Sequence, residues 1–559
     1  MFTQPLAPIA GSLPLSALLA SLPLVLLFLL LGVFKVKAWV AALSGLAASI
    51  LIAMIGWGMP ALMTLSATAE GAFYGAIPIM WILLNAVWVY QLSVITGWFE
   101  SLGQLIRSIS DDQRVLAILI AFCFGALMES LAGFGAPVAI SAAMLMAAGM
   151  KPMKAAIVSL LANTAPVAFG AMGAPIIALA SVTGIDVHLL SQMAGRQTPF
   201  VALIVPLVLV LLVDGVRGVK QTWPVALVAG AVFGLAQFVT SNFITVEITD
   251  VVASLATIAA VLVMLRFWKP ANPLKLDHSA IAETAAAGTG RLAHYPEVTA
   301  TGARRVWGAI APYAIIIVVF SISQIPAVKA YLLSIGQIKF PWPGIGHYGA
   351  DGKAASDILN AAGKPVSTVF TFDHIRATGT LLLLSGIITA LVYKVRPVDA
   401  LRAYGNTLKQ LKFTIVTVLS VLALAYVMNL SGQTASLGNA LAAVGSAFAI
   451  MSPVIGWLGV AITGSDTSSN SLFGLLQVTA ANKAGLNPIL MASANSSGGV
   501  MGKMISPQNL AVAAAAVAMV NKEGDIFRKV VGWSLGLLAY FTLIVLLQAG
   551  PLSWMVPTR

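Results

Sequence analysis

Long apolar runs recur along the whole 559-residue chain, and this feature restricts the fold more than any other. A helix needs roughly 20 mostly apolar residues to cross a bilayer. Ten segments reach or approach that length: 14–34, 38–57, 72–97, 200–213, 225–240, 248–267, 306–325, 377–393, 413–430 and 530–547. Only 9% of the residues are charged, against about 25% in a soluble protein. We therefore expect an all-α, multi-pass protein that has the lipid bilayer as its solvent.

Two longer apolar regions, 115–182 and 451–520, are interrupted by Gly, Pro, Asn and Ser. Proline removes a backbone donor and glycine loosens a helix, so these regions predict broken helices or helical hairpins. Such backbone is tolerated at membrane depth only inside protein or along a wet cavity. Together with the ten simpler segments, they bring the expected total to about 12–14 crossings.

The distribution of Lys and Arg predicts the topology. These residues are dense in 266–305 and again in 394–412, and two spans separate these stretches. Both are therefore expected in the cytoplasm, and the turn-rich loop 326–376 between them is expected outside. The N-terminus, which has no Lys or Arg before Lys35, is also expected outside. The first apolar run lacks a basic leader, which predicts a retained helix rather than a cleaved signal peptide.

The two broken regions and their approaches repeat each other with a nearly constant offset. Gly97, Ser101, Leu102, Gly103, Gly149, Pro152, Ala162, Asn163, Gly170 and Pro175 recur as Gly432, Ser436, Leu437, Gly438, Gly485, Pro488, Ala494, Asn495, Gly502 and Pro507. On the predicted topology the two halves enter these regions from opposite sides, which indicates an inverted repeat with its site near the midplane. The alternative is that helices rich in small residues look alike because they pack closely.

This repeat divides the chain into three parts. The first repeat covers 1–220 and the second, inverted one covers 306–559, while 221–305 holds connecting spans and a cytoplasmic linker.

Three ionisable residues lie inside apolar sequence: Glu129, Asp466 and Lys503. A charged side chain at membrane depth costs about 2.5–3.5 kcal/mol on insertion scales, so each should face a cavity or a partner. The two acids are candidates for proton coupling, and Lys503 suits the carboxylate of an anionic substrate. The alternatives are carboxyls satisfied by nearby hydroxyls, and a lysine that only pairs with one of the acids.

Polar residues at the helix breaks complete the candidate site. Asn163-Thr164 and Asn495-Ser496 interrupt their helices, and half-helix N-termini there can present N–H donors to an anion. Substrate contact is predicted for Ser130, Gly133, Gly135, Asn163, Thr164, Thr467, Ser468, Asn495, Ser496 and Lys503. The alternative is that the Asn and Ser residues only cap helices or bond between them.

Other functional classes find little support in the sequence. The net charge of +12 comes from Lys and Arg placed mostly between apolar runs, which fits membrane topology and not nucleic-acid binding. The single cysteine, Cys123, excludes an intrachain disulfide. The five histidines have no metal-ligand spacing, and no nucleophile–base arrangement stands out. We expect a transporter without a metal or an organic cofactor.

Four segments resemble the bacterial L-lactate permease family: GALMESLAGFGAPVAI (125–140), ANTAPVAFGAMGAPI (162–176), GSDTSSNSLFG (464–474) and SANSSGGVMGKMISPQN (493–509). The resemblance implies proton-coupled uptake of lactate, and often of glycolate, across the bacterial inner membrane. It also implies kinship with ion-coupled transporters built from inverted repeats with helical hairpins.

Several questions stay open at this point. A sodium-coupled transporter of another small organic anion is the main alternative to proton symport, and a channel or a membrane-embedded enzyme are weaker ones. The sequence does not decide between L-lactate, D-lactate and glycolate, between an elevator and a rocking motion, or between a monomer and a homo-oligomer.

Overall fold

The computed structural model describes residues 1–132, 135–274, 298, 300–519 and 522–558. Within these residues, ten helical segments are long and apolar enough to cross a membrane, and the bent pair Pro152–Ala162 with Val167–Thr183 is a further candidate. Two shorter apolar helices, Ala136–Ala147 and Thr378–Val392, bring the number into the predicted range. The expected all-α, multi-pass fold is confirmed.

Most connections between successive helices are short. The α-helices are α1 Leu13–Phe28, α2 Ala38–Ile55, α3 Ala61–Tyr74, α4 Trp81–Ile95, α5 Trp98–Arg107, α6 Gln113–Leu116, α7 Gly125–Ala132, α8 Ala136–Ala147, α9 Pro152–Ala162, α10 Gly170–Thr183, α11 Val187–Ala194, α12 Thr198–Phe243, α13 Thr249–Phe267, α14 Gly302–Gln324, α15 Pro326–Gly336, α16 Thr378–Val392, α17 Pro397–Ser431, α18 Gln433–Leu441, α19 Phe448–Thr463, α20 Asp466–Ala484, α21 Pro488–Gly499, α22 Pro507–Ala516 and α23 Glu523–Ala549. Wider π-helical turns follow α1, α3 and α6 at Leu29–Val33, Gly75–Met80 and Ala117–Phe124, and 3-10 turns cover Val167–Phe169, Ala442–Ala447, Val500–Ile505 and Ser553–Met555.

Short strands form at the N-terminus and in the loop before α16. They are β1 Phe2–Thr3, β2 Gln337–Pro341, β3 Gly346–Tyr348, β4 Ala354–Ser356, β5 Ile358–Leu359 and β6 Val369–Asp373. β2 pairs with β6 and β3 with β4 in antiparallel fashion, while β1 runs parallel to β5. The pairing of Phe2 with Ile358 holds the N-terminus against this loop. Both lie on one side of the molecule, as the predicted topology requires.

A buried arginine joins three segments of the chain. Arg114 forms ion pairs with Asp112 at 2.6 Å and with Asp214 at 3.0 Å. It also donates to the carbonyl oxygen of Asn272 at 2.7 Å. The start of α6, the break in the middle of α12 and the segment after α13 therefore meet at the face predicted to be cytoplasmic.

Protein rather than lipid surrounds the span that leads to Glu129. Every residue in the most apolar stretch of Gln113–Leu131 is buried. In the most apolar stretches of Leu13–Val33 and Ala38–Ile55, only 33% and 28% of the residues are buried. The outer helices take the contact with lipid, and α7 can therefore hold a charged side chain in the interior.

The repeated sequence positions adopt matching backbone conformations. Gly97 precedes α5 with a φ of 77°, and its counterpart Gly432 precedes α18 with a φ of 96°. Gly149 precedes α9 with a φ of 80°, and its counterpart Gly485 precedes α21 with a φ of 72°. A 3-10 turn follows both α9 and α21. The opposite orientation of the two halves, and the division of the chain built on it, stay predictions.

Candidate functional site

Glu129 on α7 and Lys503, in the 3-10 turn after α21, form an ion pair inside the protein. Lys503 Nζ donates to Glu129 Oε1, and the lysine and glutamate side chains are 7% and 4% exposed. The second oxygen, Oε2, has no hydrogen-bond partner among the described residues. Because both charges are removed from water, the loss of either partner would leave a costly unpaired charge.

The broken start of α10 lies directly against Glu129. A Cβ atom at Gly170 would stand 2.9 Å from Glu129 Oε1, so a larger residue there would displace the carboxylate. The following residues, Ala171, Met172 and Gly173, have φ of 44°, 55° and 75°. Alanine and methionine rarely adopt this left-handed region, and such strain concentrates at functional sites.

Asp466, the first residue of α20, has one satisfied and one free carboxylate oxygen. Oδ2 accepts from Ser496 Oγ at 2.6 Å and from Asn470 Nδ2 at 3.4 Å. Oδ1 has no partner among the described residues. A Cβ atom at Gly499 would stand 2.6 Å from Oδ1, so α21 brings a glycine against this carboxylate just as α10 does for Glu129.

Amide side chains connect the two broken regions behind the carboxylates. Asn470 Nδ2 donates to the carbonyl oxygen of Pro175 at 3.0 Å, and Asn470 Oδ1 accepts from Asn495 Nδ2 at 2.9 Å. Asn495 Oδ1 in turn accepts from Gln477 Nε2 at 2.9 Å. This network holds α20 and α21 in a fixed relation to α10.

A small cavity lies between the two carboxylates. Both broken regions contribute to its walls, which are formed by Glu129, Val167, Gly170, Ala171, Pro175, Gly464, Ser465, Asp466, Thr467 and Lys503. Its volume of about 30 Å³ is roughly twice what one water molecule needs. The N-terminus of α20 borders it, so backbone N–H groups and the positive end of a helix dipole face the same space.

A second and larger cavity, of about 530 Å³, adjoins the small one at Ser465. Lys35, Lys37 and Trp39 line it at one end, and Ser468 and Gln508 lie among its other walls. The indole Nε1 of Trp39 has no hydrogen-bond partner among the described residues. We call this space the vestibule.

The comparison with known proteins gives the family. The model of the L-lactate permease family matches residues 16–550. The chain belongs to the L-lactate permease family. The members of this family are permeases, so the chain is a transporter and not an enzyme.

Curated relatives match this permease along its whole length. The L-lactate permease of Bacillus subtilis strain 168 is 40% identical, and the match covers 100% of both chains. The L-lactate permease of Escherichia coli strain K12 is 42% identical over 98% of both chains. The glycolate permease GlcA of the same strain is also 42% identical over 98% of both chains.

Two solved structures are more distantly similar to the permease, each at 15% identity and a TM-score of 0.45. MtrF of Neisseria gonorrhoeae is matched over 87% of this chain and 83% of its own. The YdaH transporter of Alcanivorax borkumensis is matched over 89% of this chain and 90% of its own.

Four of the residues predicted for the site line the small cavity of the permease: Glu129, Asp466, Thr467 and Lys503. Asn495 and Ser496 lie behind Asp466, and their side-chain donors already bond to protein. Ser468 lines the vestibule instead.

The remaining predicted residues lie apart from the small cavity. Ser130 donates to the carbonyl oxygen of Leu127 in its own helix at 2.7 Å, and Thr164, in the turn after α9, donates to that of Leu161 at 2.6 Å. Gly135 packs against α22, and Gly133 lies outside the described residues. Asn163 is 3% exposed and neither of its amide atoms has a partner among the described residues.

The sequence interpretation missed residues that the permease places at the site. Asn470 follows Asp466 by four residues, on the same face of α20, and this spacing was a usable signal. Gly170 and Pro175 were recognised only as repeat positions. Asp250 does not line the small cavity, but it is buried on α13, which packs against α7. It was overlooked because it follows the start of an apolar run, where an acid normally marks the membrane boundary.

Proposed function

We propose that this permease imports L-lactate, together with D-lactate and glycolate, by symport with a proton across the bacterial inner membrane. The observation that carries the proposal is the buried Glu129–Lys503 pair beside a cavity with a second acid. The names of the relatives, L-lactate and glycolate permeases, support the substrate class.

Exchange of partners at Lys503 couples the proton to the substrate. Lys503 Nζ binds the incoming carboxylate, with help from the N–H groups at the start of α20. Glu129 then loses its cation in a space closed to water, and it binds a proton instead. The loaded site holds one lysine, one protonated glutamate and one substrate anion, so its charge equals that of the empty site.

Asp466 provides recognition of the 2-hydroxyl group. Its free Oδ1 borders the small cavity and can accept a hydrogen bond from a hydroxyl next to the substrate carboxylate. The side chains of Ser496 and Asn470 hold the other oxygen, which fixes the orientation of the carboxylate. A monocarboxylate without a 2-hydroxyl leaves Oδ1 unpaired and binds more weakly.

The site must widen to accept a substrate. Lactate has six non-hydrogen atoms, more than fit in a space for about two water molecules. Ser465 and Gly464 separate the small cavity from the vestibule, and the Gln508 side chain packs against Gly464. Movement of this segment opens the site toward the vestibule, which the predicted topology places on the cytoplasmic side.

Uptake by the purified protein in liposomes tests the proposal. A pH gradient, acidic outside and without sodium, should drive accumulation of labelled L-lactate, and unlabelled D-lactate and glycolate should compete. A sodium gradient at equal pH should drive none. Accumulation that needs sodium would favour the alternative function, a sodium-coupled transporter of a small organic anion. In that transporter, carbonyl groups at the helix breaks and Asp466 would bind the sodium ion.

A further inference from the structure

A third buried acid, Asp250, lies close to the proposed site and has no role in the mechanism above. It stands in the first turn of α13 and is completely buried. Its Oδ1 accepts from Gln237 Nε2 at 3.0 Å, while Oδ2 has no partner among the described residues. A carboxyl group removed from water and half satisfied is costly to keep, so it calls for an explanation.

Contacts tie Asp250 to the break in the first repeat. Gln237 Nε2 also donates to the carbonyl oxygen of Ala165, at 3.3 Å, and Gln237 Oε1 accepts from Thr198 at 2.9 Å. Ala165 lies between α9 and α10, five residues before the glycine that packs against Glu129. α13 itself packs against α7, the helix that carries Glu129.

A route from Asp250 toward the outer face is short. Glu247 precedes Asp250 by three residues and is partly exposed. Glu247 Oε1 accepts from Thr378, the first residue of α16, at 3.1 Å. On the predicted topology the α12–α13 connection that carries Glu247 is extracytoplasmic, so the order Glu247, Asp250, Glu129 leads from the outer face to the ion pair.

Few other charges lie on the elements around Asp250. The elements packed against α13 are α7, the π-helical turn before it, α10, α12 and α14. Their described titratable groups are Glu129, Cys123, Asp214, Arg217, Lys220, Arg304, Arg305 and Tyr313. On the predicted topology, Asp214 and the four basic residues of α12 and α14 lie toward the cytoplasmic end, as does Arg266 in the last turn of α13 itself. Arg196, in the turn before α12, donates to Asn242 instead.

We propose that Asp250 is a second proton-binding site, which receives protons from the extracytoplasmic face near Glu247 and delivers them to Glu129. The inference rests on the proposed proton symport. When Lys503 turns to the substrate, Glu129 and Asp250 are two acids on packed helices without a cation, and a proton bound by either one reduces their repulsion. The O–H bond at Asp250 breaks as one forms at Glu129, and the Asp250 carboxylate is then reprotonated from outside.

Asp250→Asn separates this role from a structural one. The asparagine Oδ1 can still accept from Gln237, so the link to the break is kept while the titratable group is lost. Uptake driven by a pH gradient should become at least about tenfold slower, whereas lactate counterflow at equal pH should stay close to wild type. Asp250→Glu should restore gradient-driven uptake, because it keeps the acid.

Three results would overturn the inference. In the first, Asp250→Asn takes up lactate under a pH gradient at the wild-type rate. In the second, Asp250→Asn loses gradient-driven uptake and counterflow to the same extent. In the third, Asp250→Glu does not recover gradient-driven uptake. If Asp250→Asn does not fold, Glu247→Gln replaces it in the experiment. We expect this variant to show slower gradient-driven uptake and unchanged counterflow. Gradient-driven uptake at the wild-type rate would contradict the route through Glu247. Wild-type protein that ignores the pH gradient would overturn the proposed function itself, so the two failures are distinguishable.

Discussion

At the scale of single residues, the proposed mechanism requires Lys503 to change its partner during transport. A buried ion pair adds little to stability, since desolvation offsets most of the attraction between its charges. The pair with Glu129 is therefore better suited to exchange than to holding the fold together. In the proposed mechanism, a substrate carboxylate offers Lys503 an equivalent partner, and the freed acid binds the proton.

Replacement of Lys503 by alanine should weaken lactate binding. Truncation of one member of a buried, charged hydrogen bond costs about 2–5 kcal/mol, which corresponds to about 30-fold or more in Kd. Calorimetry with the purified protein measures this change. Lys483→Ala removes an exposed lysine at the end of α20 and should leave Kd unchanged. An affinity of Lys503→Ala within about twofold of wild type would remove Lys503 from the site.

Asp466→Asn should reduce the preference for 2-hydroxy acids. The asparagine oxygen is uncharged, and hydrogen bonds to charged groups exceed neutral ones by about 1 kcal/mol. The ratio of the Kd for propionate to the Kd for L-lactate should therefore fall about fivefold. Ser496→Ala, which removes a donor to Oδ2 only, should change the ratio less. An unchanged ratio in Asp466→Asn would show that the hydroxyl binds elsewhere.

At the scale of elements, the close crossing of α19 and α21 determines where the Asn495 network sits. A Cβ atom at Gly456 would stand 1.9 Å from the backbone oxygen of Asn495. Gly456→Ala should thus force the helices apart and lower stability by about 1–3 kcal/mol. Thermal unfolding in detergent measures the loss.

Gly536→Ala is the matched control for this crossing. Gly536 lies in α23, and beyond its chain neighbours and the backbone of its own helix, no atom of the described residues lies within 4 Å of the position that an alanine methyl group would take there. Alanine also favours a helix by about 1 kcal/mol over glycine. The melting temperature of this variant should equal or exceed that of wild type. Equal melting temperatures for both variants would show that α19 and α21 do not pack as closely as described.

Within these elements, the sequence predicts best the residues whose placement carries a large energetic cost. Charged residues in apolar runs are costly, and this cost singled out Glu129, Asp466 and Lys503. The hydroxyl groups were harder to place. Ser130 and Thr164 stand beside the predicted breaks, but their hydroxyl groups donate to backbone carbonyls three residues earlier. Which carbonyl a hydroxyl reaches depends on the backbone around it, and the spacing of residues does not give this.

Contacts between distant elements could not be read from the sequence. Gln237 looks like one polar residue in an apolar run, yet it bonds to Asp250 and to the carbonyl of Ala165. The link between Asn470 and the carbonyl of Pro175 joins the two broken regions in the same way. Such bonds depend on how α10, α12, α13 and α20 pack, and no local pattern encodes that arrangement.

At the scale of the whole molecule, the vestibule should be open to the cytoplasm. Gln508→Cys places a thiol at an exposed position in its wall, and the only native cysteine, Cys123, is completely buried. A membrane-impermeant maleimide should label Gln508→Cys in inside-out vesicles and not in right-side-out vesicles. Ser496→Cys, at a fully buried position, should stay unlabelled in both. Labelling of Gln508→Cys from the outer face alone would reverse the topology.

The most direct test of the account counts the protons that bind together with the substrate. Calorimetric titration of L-lactate into the purified protein, repeated in buffers of different ionisation enthalpy, gives this number. We expect about one proton taken up per lactate by the wild type and about none by Glu129→Gln. Lactate binding by the wild type without proton uptake, or equal uptake by Glu129→Gln, would contradict the exchange of partners at Lys503.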